Sequence, residues 1–178
     1  FKRDHLSIIP KSAFEALSET EKSAFQEDFV EYFTAFEGLN DHSSDVDLRE
    51  LSLGFCLFCA ENKSTKLALG FDLLDVGRTG FLSEQQLLRY LKSYLSMLVA
   101  TSFLTPIAKR KTRPRITDER RSLMHAAVHR GAQWTVGHFV KANPQLEGKY
   151  NFDSFAEWYS VSGYNVAPWL ELLDLHKI

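Results

Sequence analysis

The stretch DVGRTGFLSEQQ, residues 75–86, decides the fold that we expect for this chain. It opens on an acidic residue, places Gly80 where the backbone must turn sharply, continues to the apolar Leu82 and leads into a helical apolar pattern. A twelve-residue loop of this form between two helices binds calcium when oxygen ligands occupy positions 1, 3, 5, 7, 9 and 12. Gly77 at the third position and Gln86 at the twelfth supply no carboxylate. The loop therefore has the frame of a cation site without its full ligand set.

The same arrangement recurs along the chain. Aligning each occurrence on an apolar eighth residue gives loops 39–50, 75–86 and 143–154, with Val46, Leu82 and Tyr150 at that position. The eighth residue is β-prone because the loops of paired units join there through a short two-stranded ladder. Gly80 and Gly148 hold the sixth position, where a left-handed turn suits glycine. The pattern predicts helix–loop–helix units whose loops pair.

Apolar residues recur at helical spacing on both sides of these loops. The first stripe follows Ser18 and Glu21, which form a capping box, and consists of Phe25, Phe29, Tyr32, Phe33 and Phe36. Further helices are predicted over 48–60, 67–74, 87–98 and 117–142, with a short helix headed by Pro168. No long alternation of apolar and polar residues occurs, so the sequence predicts an all-α fold.

The sequence resembles the EF-hand superfamily, in particular multi-hand proteins such as calcineurin B and the neuronal calcium sensors. This similarity runs without a gap through DVDLRELSLGFCLFCAENKSTKLALGFDLLDVGRTGFLSEQQL, residues 45–87. The third loop with NFDSFAEW and APWLELL is also similar to the degenerate N-terminal EF-hand region of certain ubiquitin-specific proteases. The resemblance implies several EF-hand units with short paired loop strands, and residues 6–17 as the outgoing half of a further hand.

The chain is expected to divide into three parts. Residues 1–104 form an N-terminal EF-hand region, 105–117 a basic linker or loop, and 118–178 the last hand with a C-terminal amphipathic helix. The interval between the second and third loops is longer than in calcineurin-like proteins, and the basic segment lies in it. Because the chain begins with Phe1, we expect it to be a segment of a longer protein.

None of the loops has a complete calcium ligand set. The candidate ligands are Asp41, Ser43, Asp45, Asp47 and Glu50 in loop 39–50, and Asp75, Thr79 and the carbonyl of Phe81 in loop 75–86. Missing carboxylates weaken the attraction for the ion and also remove the repulsion within an empty loop. The outgoing helices have an ion-free start as well, since Ser83 with Gln86 forms a capping box and Asp47 with Glu50 a variant of one. We expect weak calcium binding or none.

Two further motifs, a cysteine pair and a histidine pair, lack residues that a metal site needs. The pair Cys56 and Cys59 lacks the further ligands of a zinc site, and we expect both thiols in the core. His125 and His129 lie one helical turn apart, but Ala126 stands where a metalloprotease needs its glutamate. A helical zinc protein or enzyme that uses these two histidines is the more distant alternative.

The expected function is non-catalytic. We expect a cytoplasmic regulatory and scaffolding module that holds a helical protein segment, from a partner or a neighbouring domain, in an apolar groove. A formal net charge of −2 gives no general attraction to nucleic acid, no membrane span is apparent, and no cofactor is expected. The alternative is a calcium-dependent sensor that uses loop 39–50 or 75–86. The residues expected to form the groove and the tail that fits it are Phe55, Phe58, Phe71, Leu91, Leu95, Trp169, Leu170 and Leu173.

Overall fold

The computed structural model describes residues 18–39, 45–104 and 115–174. These residues are mostly helical and contain no β-strand, which confirms the all-α class. The principal helices are α1 (Glu19–Phe36), α2 (Leu48–Phe55), α3 (Lys63–Leu74), α4 (Glu84–Leu104), α5 (Asp118–Ala142) and α6 (Phe152–Trp158). Within the described ranges no helix is both long enough and apolar enough to cross a membrane.

Shorter turns complete the architecture. A 3-10 turn, Cys56–Phe58, extends α2, and another, Pro144–Leu146, follows α5. Helix α6 runs on through the π-helical segment Tyr159–Gly163 and one turn, Tyr164–Val166. It is followed by a 3-10 helix, Pro168–Leu173, which we call the tail. The predicted hand at 6–17 and most of the basic segment 105–117 lie outside the described residues.

Side-chain caps fix where the helices begin. At α1 the predicted capping box is present, because the Glu21 amide donates to Ser18 Oγ at 3.3 Å and the Ser18 amide to Glu21 Oε2 at 2.9 Å. Asn62 starts α3 by accepting from the Thr65 amide at 2.9 Å. The α-helical part of α2 ends at Phe55 rather than near residue 60. After the 3-10 turn the backbone becomes extended at Cys59, and it is extended again at Asn62, where α3 is capped.

Helix α4 is the centre of the core and packs against α1, α2 and α5. Its Tyr90 and Tyr94 are fully buried, and their hydroxyls donate to the carbonyls of Leu67 (3.0 Å) and Lys66 (2.5 Å) on α3. Buried polar groups need such partners, so these two bonds fix how α3 lies on α4. At Gly70 an added Cβ would stand 2.1 Å from a Leu53 methyl and 2.7 Å from the Tyr94 hydroxyl, so a larger residue there would force both side chains to shift.

Aromatic contacts connect the last helices to this core. Phe139 of α5 lies with its ring centroid 5.4 Å from Phe155 and 5.3 Å from Trp158, both of α6. Phe155 in turn meets Tyr90 of α4 edge to face at 6.0 Å. Both geometries belong to the favourable range for aromatic pairs. The regions before and after the basic segment therefore contribute to one continuous hydrophobic core.

Two of the predicted loops meet at one point. Leu82 and Tyr150 form an isolated antiparallel bridge, in which the Leu82 amide donates to the Tyr150 carbonyl at 2.8 Å and the reverse bond measures 2.9 Å. These are the residues that the sequence alignment placed at the eighth position. Gly80 and Gly148, at the sixth, have φ angles of 78° and 80° and so adopt the left-handed turn.

Candidate functional site

The described part of loop 39–50 consists of Leu39 and residues 45–50, so Asp41 and Ser43 lie outside it. Asp47 starts α2, with its Oδ1 accepting from the Arg49 amide at 2.8 Å. The predicted variant capping box is wrong in its second half, because the Glu50 side chain is buried and turns towards α4. Asp45 is exposed. The acidic residues of this loop thus point to two different environments.

A guanidinium from α4 bridges the two carboxylates at the end of this loop. Arg89 Nε donates to Glu50 Oε1 at 2.5 Å, and Arg89 Nη2 donates to Asp47 Oδ2 at 2.6 Å. The Glu50 side chain is 4% exposed, and a carboxylate that is removed from water needs an opposite charge. These bonds also raise the pKa of Arg89 against the opposing effect of its burial. The Arg89 guanidinium therefore pairs with Glu50, the residue that would close a calcium-binding loop.

A second cation from α4 reaches the other end of the loop. The buried Lys92 ammonium donates to the carbonyl of Leu39, the first residue of the loop. Burial lowers the pKa of Lys92, and the nearby Glu50 charge acts in the opposite direction. Arg89 and Lys92 are three residues apart and therefore lie on one face of α4. That face supplies positive charge to both described ends of loop 39–50.

Loop 75–86 satisfies its acidic residue with its own donors. The Asp75 carboxylate accepts from the Thr79 amide (2.9 Å), the Thr79 hydroxyl (3.0 Å) and the Gly80 amide (2.6 Å). These bonds, led by that from the Thr79 amide, lower the pKa of Asp75. The carbonyl of Phe81 also lies 3.0 Å from Thr79 Oγ1 and shares the single hydroxyl proton with Asp75. The structure thus brings together all three candidate ligands of this loop, and they bond to the loop itself.

Gln86 closes the loop in a way that a carboxylate does not permit. Its Oε1 accepts from the backbone amide and the hydroxyl of Ser83, each at 2.9 Å. The Gln86 backbone amide donates to Ser83 Oγ at 3.3 Å. The predicted Ser83–Gln86 capping box is thereby confirmed. Gln86 Nε2 also donates to the Leu74 carbonyl at 2.9 Å, which ties the start of α4 to the end of α3. Glutamate lacks this donor.

Loop 143–154 is likewise closed by local bonds. Asn143 Nδ2 donates to the Phe139 carbonyl at 2.9 Å, and Asn151 caps α6 by accepting from the Ser154 amide at 2.8 Å. Glu147 is exposed and adopts a left-handed conformation, with φ at 45°. The Asn143 and Asn151 side chains, which would face an ion in this loop, are therefore used to cap the flanking helices.

The residues predicted to line a groove have different environments. Phe71 and Leu91 are buried in the domain's own core, whereas Leu95 is partly buried. Phe55 is partly buried and Phe58 is 45% exposed. These two rings join Phe29 and Tyr32 of α1 in a cluster with centroid distances of 5.5–6.1 Å. We call these four rings the aromatic face; of the eight residues predicted for the groove and its tail, Phe58 alone is exposed.

The tail lies against α3. Leu170 and Leu173 are fully buried and Trp169 is partly buried. Lys66 Nζ donates to the carbonyls of Leu57 and Leu173, both at 2.8 Å, and so joins the turn after α2 to the end of the tail. We call this arrangement the Lys66 clamp.

A carboxylate of the tail adds a second attachment. Glu171 pairs with Lys63 Nζ and accepts from the Tyr159 hydroxyl at 2.8 Å. Lys63 also lies over the Tyr159 ring, 4.8 Å from its centroid. The tail therefore contacts α3 through two lysines that the sequence analysis did not single out. The signal in the sequence was the position of Lys66, which shares the buried face of α3 with Gly70 and Leu74.

The two histidines lie in separate environments on α5. His125 Nε2 donates to the Ala35 carbonyl at 2.9 Å, and burial between α1 and α5 lowers its pKa. His129, one turn later, is partly buried. In the part of the chain that the structure describes, no three His, Cys, Asp or Glu side chains are placed to hold a metal ion. Cys59, expected in the core, is exposed because the turn after α2 ends there.

The chain matches no family model, and neither a curated protein nor a solved structure matches it.

Proposed function

We propose that this chain is a non-catalytic regulatory and scaffolding module, built from EF-hand-like units that fold without calcium. The observation that carries the proposal is the Arg89 guanidinium between Asp47 and Glu50. A bound calcium ion and this guanidinium would compete for the same carboxylates, since both require anionic oxygens. The internal cation needs no uptake from solution, so the module keeps one conformation when the calcium concentration changes.

The EF-hand relationship is supported by three features that belong together. Loops 75–86 and 143–154 pair through Leu82 and Tyr150, the eighth positions of both. Their sixth positions, Gly80 and Gly148, share a left-handed turn, and a helix begins two residues after each bridge residue. Helical hairpins that are unrelated to EF-hands do not require a left-handed turn, a bridge and a helix start at matching positions.

The binding role is supported by the aromatic face of Phe29, Tyr32, Phe55 and Phe58. Phe58 is 45% exposed, and a large ring that is held outside the core by its neighbours gives a partner an apolar contact. The tail already fills the apolar surface beside α3. We therefore propose that a helical protein segment, from the same chain or another, binds at the aromatic face.

Thermal unfolding with calcium or magnesium tests the first half of the proposal. We expect the melting temperature of the wild-type chain to be the same with either ion at millimolar concentration. Occupancy at 100 times the dissociation constant would add about 2.7 kcal/mol to the free energy of unfolding, which a melting curve resolves. A rise with calcium that magnesium does not reproduce would contradict calcium independence and favour a sensor.

Site-specific photo-crosslinking tests the second half. A photoreactive residue at position 58, introduced into the full-length protein, should crosslink to a helical segment identified by mass spectrometry. The matched control is position 123, where Leu123 is 65% exposed on α5 and is not part of the aromatic face. Equal crosslinking from both positions, or none from position 58, would refute a partner at this face.

A further inference from the structure

The two cysteines lie at opposite ends of one tight turn. Cys56 follows the last residue of α2, and the Cys59 amide donates to the Cys56 carbonyl at 3.1 Å. A turn closed by a bond of this kind brings the two Cα atoms within about 7 Å of each other. Disulfides span Cα separations of about 4.4–6.8 Å. The backbone therefore holds the pair at a spacing that a disulfide bond can bridge.

The two thiols differ in exposure. Cys59 is exposed, whereas Cys56 is 7% exposed and its Sγ donates to the Ser52 carbonyl at 3.3 Å. The pKa of Cys56 is raised to about 11, first by burial and then by the neighbouring Cys59 thiol. An accessible thiol beside a protected one is the arrangement in which the first reacts with an oxidant and the second resolves the product.

The turn also belongs to the Lys66 clamp. Leu57 lies between the two cysteines, and its carbonyl shares the Lys66 ammonium with the Leu173 carbonyl of the tail. A movement of the Cys56–Cys59 turn therefore moves an acceptor that helps to orient Lys66. The buried Lys66 ammonium therefore connects the turn of the cysteine pair to the tail through two hydrogen bonds.

We propose that Cys56 and Cys59 form a redox-modification site, which small-molecule disulfides oxidise reversibly to an intramolecular disulfide, and that this closure loosens the tail. With glutathione disulfide as the oxidant, the Cys59 thiolate attacks one sulfur and expels one glutathione thiolate, leaving a mixed disulfide. Cys56 then gives up its proton to solvent and attacks the Cys59 sulfur, expelling the second glutathione thiolate. The protein dithiol loses two electrons and two protons, and one glutathione disulfide becomes two glutathione thiols.

The closed form adds a covalent constraint to the turn. A disulfide holds its two Cβ atoms about 3.5–4.5 Å apart, and its formation removes the Cys56 Sγ proton, so the bond to the Ser52 carbonyl is lost. A short and accessible ring of this kind is readily reduced, as suits a reversible modification. Tightening the turn displaces the Leu57 carbonyl from Lys66 Nζ. Lys66 Nζ is then held less firmly beside the Leu173 carbonyl, and the tail opens more often.

The test treats the purified chain with glutathione disulfide and reads the products by intact mass and peptide mapping. We expect the loss of two hydrogen atoms, with a crosslink between Cys56 and Cys59 that dithiothreitol removes. The closure step should accelerate about tenfold per pH unit below the Cys56 pKa, because only the thiolate attacks. Amide hydrogen exchange over residues 168–174 should be faster in the oxidised protein than in the reduced protein.

Two variants provide the matched controls. Cys56→Ser should stop at the mixed disulfide on Cys59, and Cys59→Ser should leave the buried Cys56 unmodified. A wild-type chain that stops at the mixed disulfide, or that crosslinks between molecules, while the urea-unfolded chain closes the ring, would overturn the site. A Cys56–Cys59 disulfide with unchanged exchange in the tail would overturn the link to the Lys66 clamp.

Discussion

The carboxylates of loops 39–50 and 75–86 are stabilised in two different ways. In the first, Asp47 and Glu50 face the guanidinium of Arg89, which belongs to a helix far along the chain. In the second, Asp75 accepts from donors of its own loop, Thr79 and Gly80. A loop with several carboxylates needs a positive charge, whereas a loop with one carboxylate can be satisfied by dipoles.

The two loops are therefore ordered by different kinds of contact. Loop 39–50 depends on tertiary packing, because Arg89 reaches it only when α4 lies against α2. The acidic residue of loop 75–86 depends on local chain geometry, since the donors to Asp75 lie four and five positions away. The longer connections of this loop are the Gln86 bond to Leu74 and the bridge from Leu82 to Tyr150. Substitutions in the first loop should therefore affect global stability, and those in the second should act locally.

The largest effect is expected for Arg89→Met, which keeps the aliphatic stem and removes the charge. Glu50 is buried and loses its guanidinium partner, so the free energy of unfolding should fall by about 2–4 kcal/mol. Chemical denaturation measures this change. Arg130→Met on the exposed side of α5 is the control, with an expected change below about 0.5 kcal/mol. Equal losses in both variants would show that the guanidinium bridge contributes nothing specific.

A smaller gain is expected when loop 75–86 is given the charges of a calcium site. In the double variant Gly77→Asp with Gln86→Glu, the glutamate side chain cannot donate to the Leu74 carbonyl, so the ion-free variant should be less stable than wild type. At Gly77 an added Cβ would lie 3.2 Å from the Thr79 methyl, which a small shift relieves. Calcium at 100 times its dissociation constant should then add about 2.7 kcal/mol.

Titration calorimetry with calcium and magnesium checks this double variant. The single variant Gly77→Asp is the matched control, because it adds a carboxylate and keeps the Gln86 bonds. Heat of calcium binding in the double variant alone is the expected outcome. The absence of any gain over wild type would contradict the EF-hand alignment of this loop.

Asp75 should make stability depend on pH in the acid range. Its pKa is lowered in the folded state by the Thr79 and Gly80 donors, so its contribution is complete above the unfolded pKa of about 4. That contribution is lost as the pH falls through the lower folded pKa. Asp75→Asn should flatten this part of the stability profile, measured by urea unfolding from about pH 2 to about pH 6. The exposed Asp72→Asn should retain the wild-type profile.

The smallest effect is expected for Thr79→Val, which removes a hydroxyl that bonds to Asp75 and to the Phe81 carbonyl. Loss of these exposed or partly exposed bonds should cost about 1 kcal/mol or less. Amide exchange at Gly80 should rise, while exchange at Glu50 stays unchanged, since the two loops obtain their order from different sources. A parallel rise at Glu50 would show that the loops are coupled.

Features set by local spacing could be predicted from the sequence. The Ser18 and Ser83 capping boxes and the left-handed glycines follow from residue types at fixed intervals. Turn conformation and helix starts depend on a few neighbouring residues. The alignment also marked the eighth position as the point of pairing, but which two of the three loops meet is set by packing and did not follow from the sequence. The all-α class followed from the apolar period in the same way.

The partners of the charged residues could not be predicted. Arg89 meets Asp47 and Glu50, and Lys66 meets the tail, only because α4 and α3 are packed in particular orientations. A long side chain on a helix reaches many acceptors, and periodicity alone does not choose among them. Glu50 illustrates the point, since its spacing from Asp47 suits a capping box and its actual partner comes from another helix.

The Leu82–Tyr150 bridge also has a consequence for the order of events in folding. Its two residues are separated in sequence by the whole of α4, the basic segment and α5. During synthesis the earlier loop emerges long before its partner exists, so this contact forms late and raises the mean sequence separation of native contacts. The entropy of closing such a loop grows only logarithmically, by about 0.6 kcal/mol for each doubling of its length. Lengthening residues 105–117 should therefore change the free energy of folding only slightly.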